Sequence, residues 1–253
     1  MTKYGLIGGT GLSQLPGFSL IREHDVATPY GRLCQPVSEG YLVDCVLMFL
    51  PRHGKHGSIP PHKINYRANL AALKQMGVEQ VIAINAVGCI NPAMKPADIV
   101  LPDQIVDYTW GREHTLYDGL DRVDSLALEH VDMTQPYDEA LRLGLIGAAN
   151  TLGLEFSAAG TYAATQGPRL ETAAEIVKLA GEGCDIVGMT GMPEASLARE
   201  LGLAYASICI VVNRAAGLSQ EPITMSLIEA NLGAGIDSLR ELLVAFLGSS
   251  PDG

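Results

Sequence analysis

The sequence predicts a single α/β domain over residues 1–253, and three observations carry that prediction. Short Val- and Ile-rich runs with little alternation recur along the chain, the pattern of strands covered on both faces. Stretches with an apolar step of three or four residues lie between them. No repeat or low-complexity linker divides the chain, whose 253 residues suit one large core.

Taken in order, Tyr4–Ile7 is the first strand and runs into Gly8-Gly9-Thr10-Gly11. The run Leu42–Leu50 reads as one strand ending at Arg52-His53-Gly54, and Ile64–Met76 as a helix. Val81–Ile84 is a strand that leads into Asn85-Ala86-Val87-Gly88, and Asp98–Leu101 is another. Helices follow at Tyr137–Leu152 and Glu171–Ala180, then the strand Asp185–Met189 with Thr190-Gly191 after it. Glu194–Glu200 reads as a helix and Leu203–Val212 as a strand ending before Asn213. From Thr224 the residues Met225, Ile228, Leu232, Ile236, Leu239, Leu243 and Phe246 mark the clearest helix. Strands alternating with helices give an α/β layered domain, and ligands of such domains gather at the carboxyl ends of the strands. The small and polar residues found there form one candidate site.

Composition narrows the function. With 47% hydrophobic and 18% charged residues, the chain is not a disordered segment. A formal net charge of −11 argues against nucleic acid or an anionic membrane as partner, while leaving room for a local pocket for a small anion. Cys34, Cys45, Cys89, Cys184 and Cys209 are scattered and form no C-x-x-C, so they read as reduced thiols of a cytoplasmic protein. The amino terminus reads as a strand, not a signal peptide, and no apolar run approaches the roughly 18 residues of a membrane span.

Each candidate segment has a chemical reading and an ordinary one. The glycine turn lets backbone N–H groups approach an anion, with the Thr10 hydroxyl beside them, or is only a tight turn. Gln14 stands where a dinucleotide fingerprint needs its third glycine, and the Walker lysine is missing. Arg52 offers a fork suited to phosphate oxygens and His53 a further donor, unless both are solvated loop residues. Glu171 is a carboxylate able to accept a purine ring N–H, or a helix-start acid. Asn213 can donate and accept at once, as the edge of a 6-oxopurine requires, or is a loop cap. The pair His53 and His56 has no evident third ligand, so no metal site is expected.

Together these segments resemble the trimeric purine nucleoside phosphorylase and methylthioadenosine phosphorylase family over nearly the whole chain. The resemblance rests on TPYG (28–31), RHG (52–54), NYRANL (65–70), INAVG (84–88), TQGPRLET (165–172) and VGMTGMPEA (187–195). The bacterial methylthioinosine phosphorylases are the nearest branch. The resemblance implies a mixed central β-sheet flanked by helices, a homotrimer, and phosphorolysis of a purine nucleoside with phosphate as co-substrate and no cofactor. It places phosphate on Thr10, Arg52, His53, Asn85, Thr190 and the Ala86 backbone. Met189 would lie against the ribose, and Glu171, Asn213 and Leu170 at the base. His130 would reach the 5′ end of a ligand in a neighbouring subunit. Asn213, Glu171 and His53 would be the catalytic set.

The departures from the family sharpen this. Members specific for 6-aminopurines carry Asp at the Asn213 position, Asp at the Ala215 position and Ser at the Glu171 position. Members specific for 6-oxopurines carry Glu and Asn, as here, but often place a ribose-binding His where Met225 falls. Leu170 replaces a bulkier aromatic. The resemblance therefore implies an oxopurine base site joined to an apolar 5′ site formed by Met225 and Ile228. Three readings stay open: methylthioinosine phosphorylase; an enzyme for inosine and guanosine or for methylthioadenosine; and a non-catalytic nucleotide-binding or oxidoreductase-like domain.

Overall fold

A computed structural model describes residues 2–9, 17–54, 56–117 and 128–249. The chain forms, in order, β1 (Tyr4–Gly8), β2 (Ser19–His24), β3 (Val37–Leu42), β4 (Cys45–Pro51), α1 (Tyr66–Gln75), β5 (Gln80–Cys89), β6 (Ile99–Val100) and β7 (Gln104–Asp107). There follow α2 (Glu139–Leu152), β8 (Phe156–Ser157), β9 (Thr161–Ala164), α3 (Ala173–Gly181), β10 (Ile186–Gly188), α4 (Gly191–Glu200), β11 (Ala204–Arg214) and α5 (Met225–Gly248). The strands join in one mixed sheet in the order β2-β3-β4-β1-β5-β10-β9-β7, with β11 on the other edge of β5 and β6 and β8 beyond it.

Successive side chains of a strand point to opposite faces, and the central strands are apolar on both. Leu6, Ile82, Ile84, Ala206, Ile208 and Ile210 face one way, against Leu141 and Leu145 of α2 and Leu239, Leu243 and Phe246 of α5. Ile7, Val81, Ala83 and Tyr205 face the other, against Leu70 and Leu73 of α1 and Ala195 and Leu197 of α4. Side chains inside the helices thus clamp the sheet from both sides, and its strand ends are free to carry chemistry.

Several expectations change. Asn85-Ala86-Val87-Gly88 does not follow its strand but lies inside β5. Leu42–Leu50 is not one strand: β3 and β4 form a hairpin with Leu42 opposite Cys45. Val43 takes φ 56° in the turn, a conformation normally marked by Gly or Asn, so the sequence carries no turn signal there. Asn213 lies inside β11 and does not follow it. Among the described residues no helix is long and apolar enough to cross a membrane.

Candidate active site

The site is built where the sheet splits. On one edge β5 pairs with β11 along its length. On the other edge β1 covers Gln80–Ala83 and β10 covers Gly88 and Cys89, which leaves residues 84–87 without a neighbouring strand. A cavity of about 430 Å³ opens at this gap, lined by Ala86, Val87 and Gly88 of β5 together with Gly9, His53, Glu171, Met189, Thr190 and Asn213. The Ile84 carbonyl points into the gap, and the two-residue alternation directs the Ala86 N–H to the same edge. Gly9 must be glycine here, because a Cβ would stand 2.5 Å from the Ile84 carbonyl oxygen and 3.0 Å from Arg52 Nη1.

Arg52 lines the cavity, but its fork is not offered to an anion. The side chain is wholly buried, and all five N–H donors are engaged inside the protein. Nε and Nη2 donate to Glu194 Oε2 and Oε1, each at 3.0 Å. Nη1 donates to the Ile84 carbonyl at 2.8 Å and Asn85 Oδ1 at 3.2 Å, and Nη2 to the Ile7 carbonyl at 3.4 Å. A guanidinium this deep must be paired, and Glu194, 1% exposed, supplies the countercharge. Burial opposes the Arg52 charge, but the Glu194 carboxylate and neighbouring phenols outweigh it and raise the pKa further. Tyr205 donates its hydroxyl to Glu194 Oε1 at 2.9 Å.

Asn85 is turned inward for the same reason. Its Nδ2 donates to Ser207 Oγ at 2.6 Å, and its Oδ1 accepts from Arg52 and, at 2.7 Å, from Thr190 Oγ1. Arg52 and Asn85 therefore support this end of the cavity from behind, their polar atoms bonded within the protein. Thr190 stands at the N-cap of α4, and His53 lines the cavity. Thr10 lies outside the described residues.

His53 Nδ1 lies 2.8 Å from the Ile59 carbonyl, which can only accept, so Nδ1 carries the proton and Nε2 presents a lone pair. Burial lowers the His53 pKa, the Ile59 bond opposes this, and the Arg52 charge lowers it further. Neutral His53 can thus accept a proton from a hydroxyl in the cavity. The depressed folded pKa also implies that its stabilising contribution is present above the unfolded value of about 6.5 and lost as pH falls through the folded value. His53→Gln is expected to flatten the fall of the melting temperature over that acid window. An unchanged slope would show that the ring does not titrate this way.

At the other end, Thr165 Oγ1 donates to Glu171 Oε1 at 2.6 Å, which turns the carboxylate and leaves Oε2 for a ligand N–H. Glu171 sits just before the capping box that starts α3, in which Thr172 and Glu175 exchange hydrogen bonds. Asn213 is re-aimed by an irregularity in β11 pairing between Val211 and Asn213. Its Nδ2 donates to the Arg214 carbonyl at 2.7 Å, and Gly88 gives it room, since a Cβ there would come within 3.1 Å of Nδ2. Leu170 lies at the rim, and Ile223, Met225 and Ile228 form an apolar wall. The exposed His130 is not among the residues that line this cavity.

The strand-end segments thus meet on one cavity, but the groups that hold their side chains were not singled out. Glu194, Tyr205, Ser207, Thr165 and Ile59 had no assigned part. Only Glu194 and Thr165 lie within quoted motifs, and nothing local marks a carboxylate whose partner is 142 residues away.

The phosphorylase superfamily model matches residues 3–248. A protein of Pseudomonas syringae pathovar tomato, named a probable S-methyl-5'-thioinosine phosphorylase, is 49% identical over 99% of this chain and 100% of its own. The 6-oxopurine nucleoside phosphorylase of Pyrococcus furiosus is 45% identical over 99% of this chain and 94% of its own. Among solved structures, a methylthioadenosine phosphorylase from Schistosoma mansoni in complex with adenine superposes with a TM-score of 0.92 at 35% identity, covering 98% of this chain and 91% of that one. With its fold, the split of β5 and the match over almost the whole length, the chain belongs to the phosphorylase superfamily.

Proposed function

We propose that the protein is a purine nucleoside phosphorylase that converts S-methyl-5'-thioinosine and phosphate into hypoxanthine and 5-methylthioribose 1-phosphate. One observation carries this: a single cavity joins a carboxylate and an amide, Glu171 and Asn213, to His53 and Thr190 at one end and to the wall of Ile223, Met225 and Ile228 at another. The relatives named above as phosphorylases of methylthioinosine and of 6-oxopurine nucleosides support the reading.

In the reaction a phosphate oxygen bonds to C1′ as the C1′–N9 bond breaks. The electron pair leaves with the purine, which takes up a proton. Phosphate sits between His53, Thr190 and the Ala86 N–H and stabilises the cationic ribosyl centre. Asn213 donates to the purine as it becomes electron-rich, and Glu171 holds its N1–H. These contacts accelerate the step to the extent that they strengthen as charge moves onto the base. No metal or cofactor takes part. Omitting phosphate is expected to abolish base release, measured as free hypoxanthine. Equal release without phosphate would make the protein a hydrolase.

The 5′ end decides between nucleosides. Met225 is 60% exposed in the isolated chain although it lines the cavity. We propose that a homotrimer covers it, with His130 of one subunit reaching the site of the next. Light scattering that gives a monomer would remove this cover. Burying the methylthio methyl contributes roughly 0.8 kcal/mol, and burying an unpaired hydroxyl costs on the order of 1–3 kcal/mol. Methylthioinosine should therefore exceed inosine in kcat/KM by about a hundredfold. Met225→His should raise the inosine value; equal efficiencies in the wild type would place the 5′ pocket elsewhere.

The second reading, a general 6-oxopurine nucleoside phosphorylase, is favoured by the Pyrococcus furiosus relative and predicts equal use of inosine.

A further inference from the structure

Arg112 is the most heavily bonded side chain outside the roles assigned above. It is 9% exposed, and none of the described carboxylates pairs with it. Its acceptors are neutral and come from separate segments of the chain, of which Met189 lines the cavity. Nη2 donates to the carbonyls of Thr165 (3.2 Å) and Gln166 (2.8 Å), and Nε to Gln166 Oε1 (3.1 Å). Nη1 donates to the carbonyls of Met189 (2.8 Å) and Met192 (2.6 Å) and to the Tyr66 hydroxyl (3.3 Å). The Tyr66 hydroxyl in turn donates to the carbonyl of Pro61, which lines the cavity.

These segments have distinct jobs in the proposed reaction. Thr165 turns Glu171 toward the base. Met189 lines the cavity and precedes Thr190, which is bonded to Asn85 behind the phosphate end. The parallel β9–β10 ladder stops at Ala164 and Gly188, and one more backbone bond, from the Thr165 N–H to the Gly188 carbonyl at 2.8 Å, carries the pairing to Thr165; no strand pairing links 166 to 189–192. Beyond the ladder, the Arg112 guanidinium takes over the spacing of the two chains. A planar fork with donors on two edges can do this; a lysine, which concentrates its donors at one point, cannot.

We propose that Arg112 is a positioning residue that sets the base-reading carboxylate and the sugar–phosphate segment at a fixed separation, so that both ends of one nucleoside are engaged together. The inference rests on the phosphorylase reading. Arg112→Met keeps the apolar stem and removes the fork, and Arg112→Lys keeps the charge. Three quantities are measured: kcat and KM for each substrate well below the melting temperature, the ratio of oxopurine to aminopurine nucleoside efficiency, and amide hydrogen exchange of residues 165–167 and 189–192.

For Arg112→Met, kcat/KM is expected to fall on the order of a hundredfold, the effect of a misplacement near 1 Å. The base ratio should shrink, and both segments should exchange faster together. Arg112→Lys should recover only part of the loss. Full recovery by lysine, loosening of one segment only, or unchanged kinetics in the folded variant would each overturn the proposal. A wild type inactive on every purine nucleoside would sink the phosphorylase reading instead, and the exchange data would still decide whether Arg112 couples the segments.

Discussion

Glu194→Ala is expected to destabilise the protein by about 3–5 kcal/mol, the range for breaking a buried ion pair by removing one partner. In a chain of this length that lowers the melting temperature by roughly 6–20 °C. The cause is the charge left behind. Arg52 is wholly buried and would lose two of its donors' partners at once, while Tyr205 would lose its acceptor. Arg52→Met should cost a similar amount, by stranding Glu194. Joining Arg52→Met to Glu194→Leu tests the mechanism, since replacing both charges by apolar groups is often near neutral. The double variant should regain most of the stability but not the activity. Without Arg52 the carbonyls of Ile7 and Ile84 lose their side-chain donor, Asn85 Oδ1 keeps only Thr190, and the strand gap that shapes the cavity is unsupported. Thermal unfolding and kcat/KM of the three variants decide it. A single variant that unfolds like the wild type would mean that the pair is dispensable.

This pair also shows what was legible in the sequence. The strand-end segments announce themselves by composition: glycines after β1, RHG after β4 and NAVG in β5. They do lie on one cavity. The direction in which a side chain points at a strand end is not local information. Arg52 reads as a phosphate fork until Glu194, far along the chain, turns it inward. The long central strands and the five helices among the described residues follow from periodicity, because each has enough residues to show a repeat. The short β8 and the exposed β2 have too few or too polar residues to do so. Asn213 was recognisable as a polar residue closing an apolar run, but the irregularity that aims it depends on pairing with Val87 and Gly88.

Base selection should show the largest kinetic effect, with methylthioinosine favoured over methylthioadenosine by at least about a hundredfold in kcat/KM. Glu171 keeps one oxygen on Thr165 and has the other for N1–H of an oxopurine. An aminopurine has a lone pair at N1 and sets acceptor against carboxylate. Losing a hydrogen bond to a charged group costs about 1.5–3 kcal/mol. The amide of Asn213 adds to this. Its Nδ2 donates to the Arg214 carbonyl, so rotating the amide to suit an aminopurine would place oxygen against oxygen. The remaining N–H is therefore held as a donor toward O6 or N7, and the amino group of an aminopurine meets a donor. Glu171→Ser should lower methylthioinosine efficiency by roughly a hundredfold, change methylthioadenosine far less, and so collapse the ratio. Asn213→Asp should push the same way, at a cost in stability from the carboxylate set against the Arg214 carbonyl. Adding Ala215→Asp is a poorer test in this chain. Ala215 is 2% exposed and packs with Ile90, Ile176, Leu179 and Val187, where a second carboxylate would be buried without a partner. A wild type that prefers methylthioadenosine, or a Glu171→Ser variant with the ratio intact, would show that the base is read by other groups.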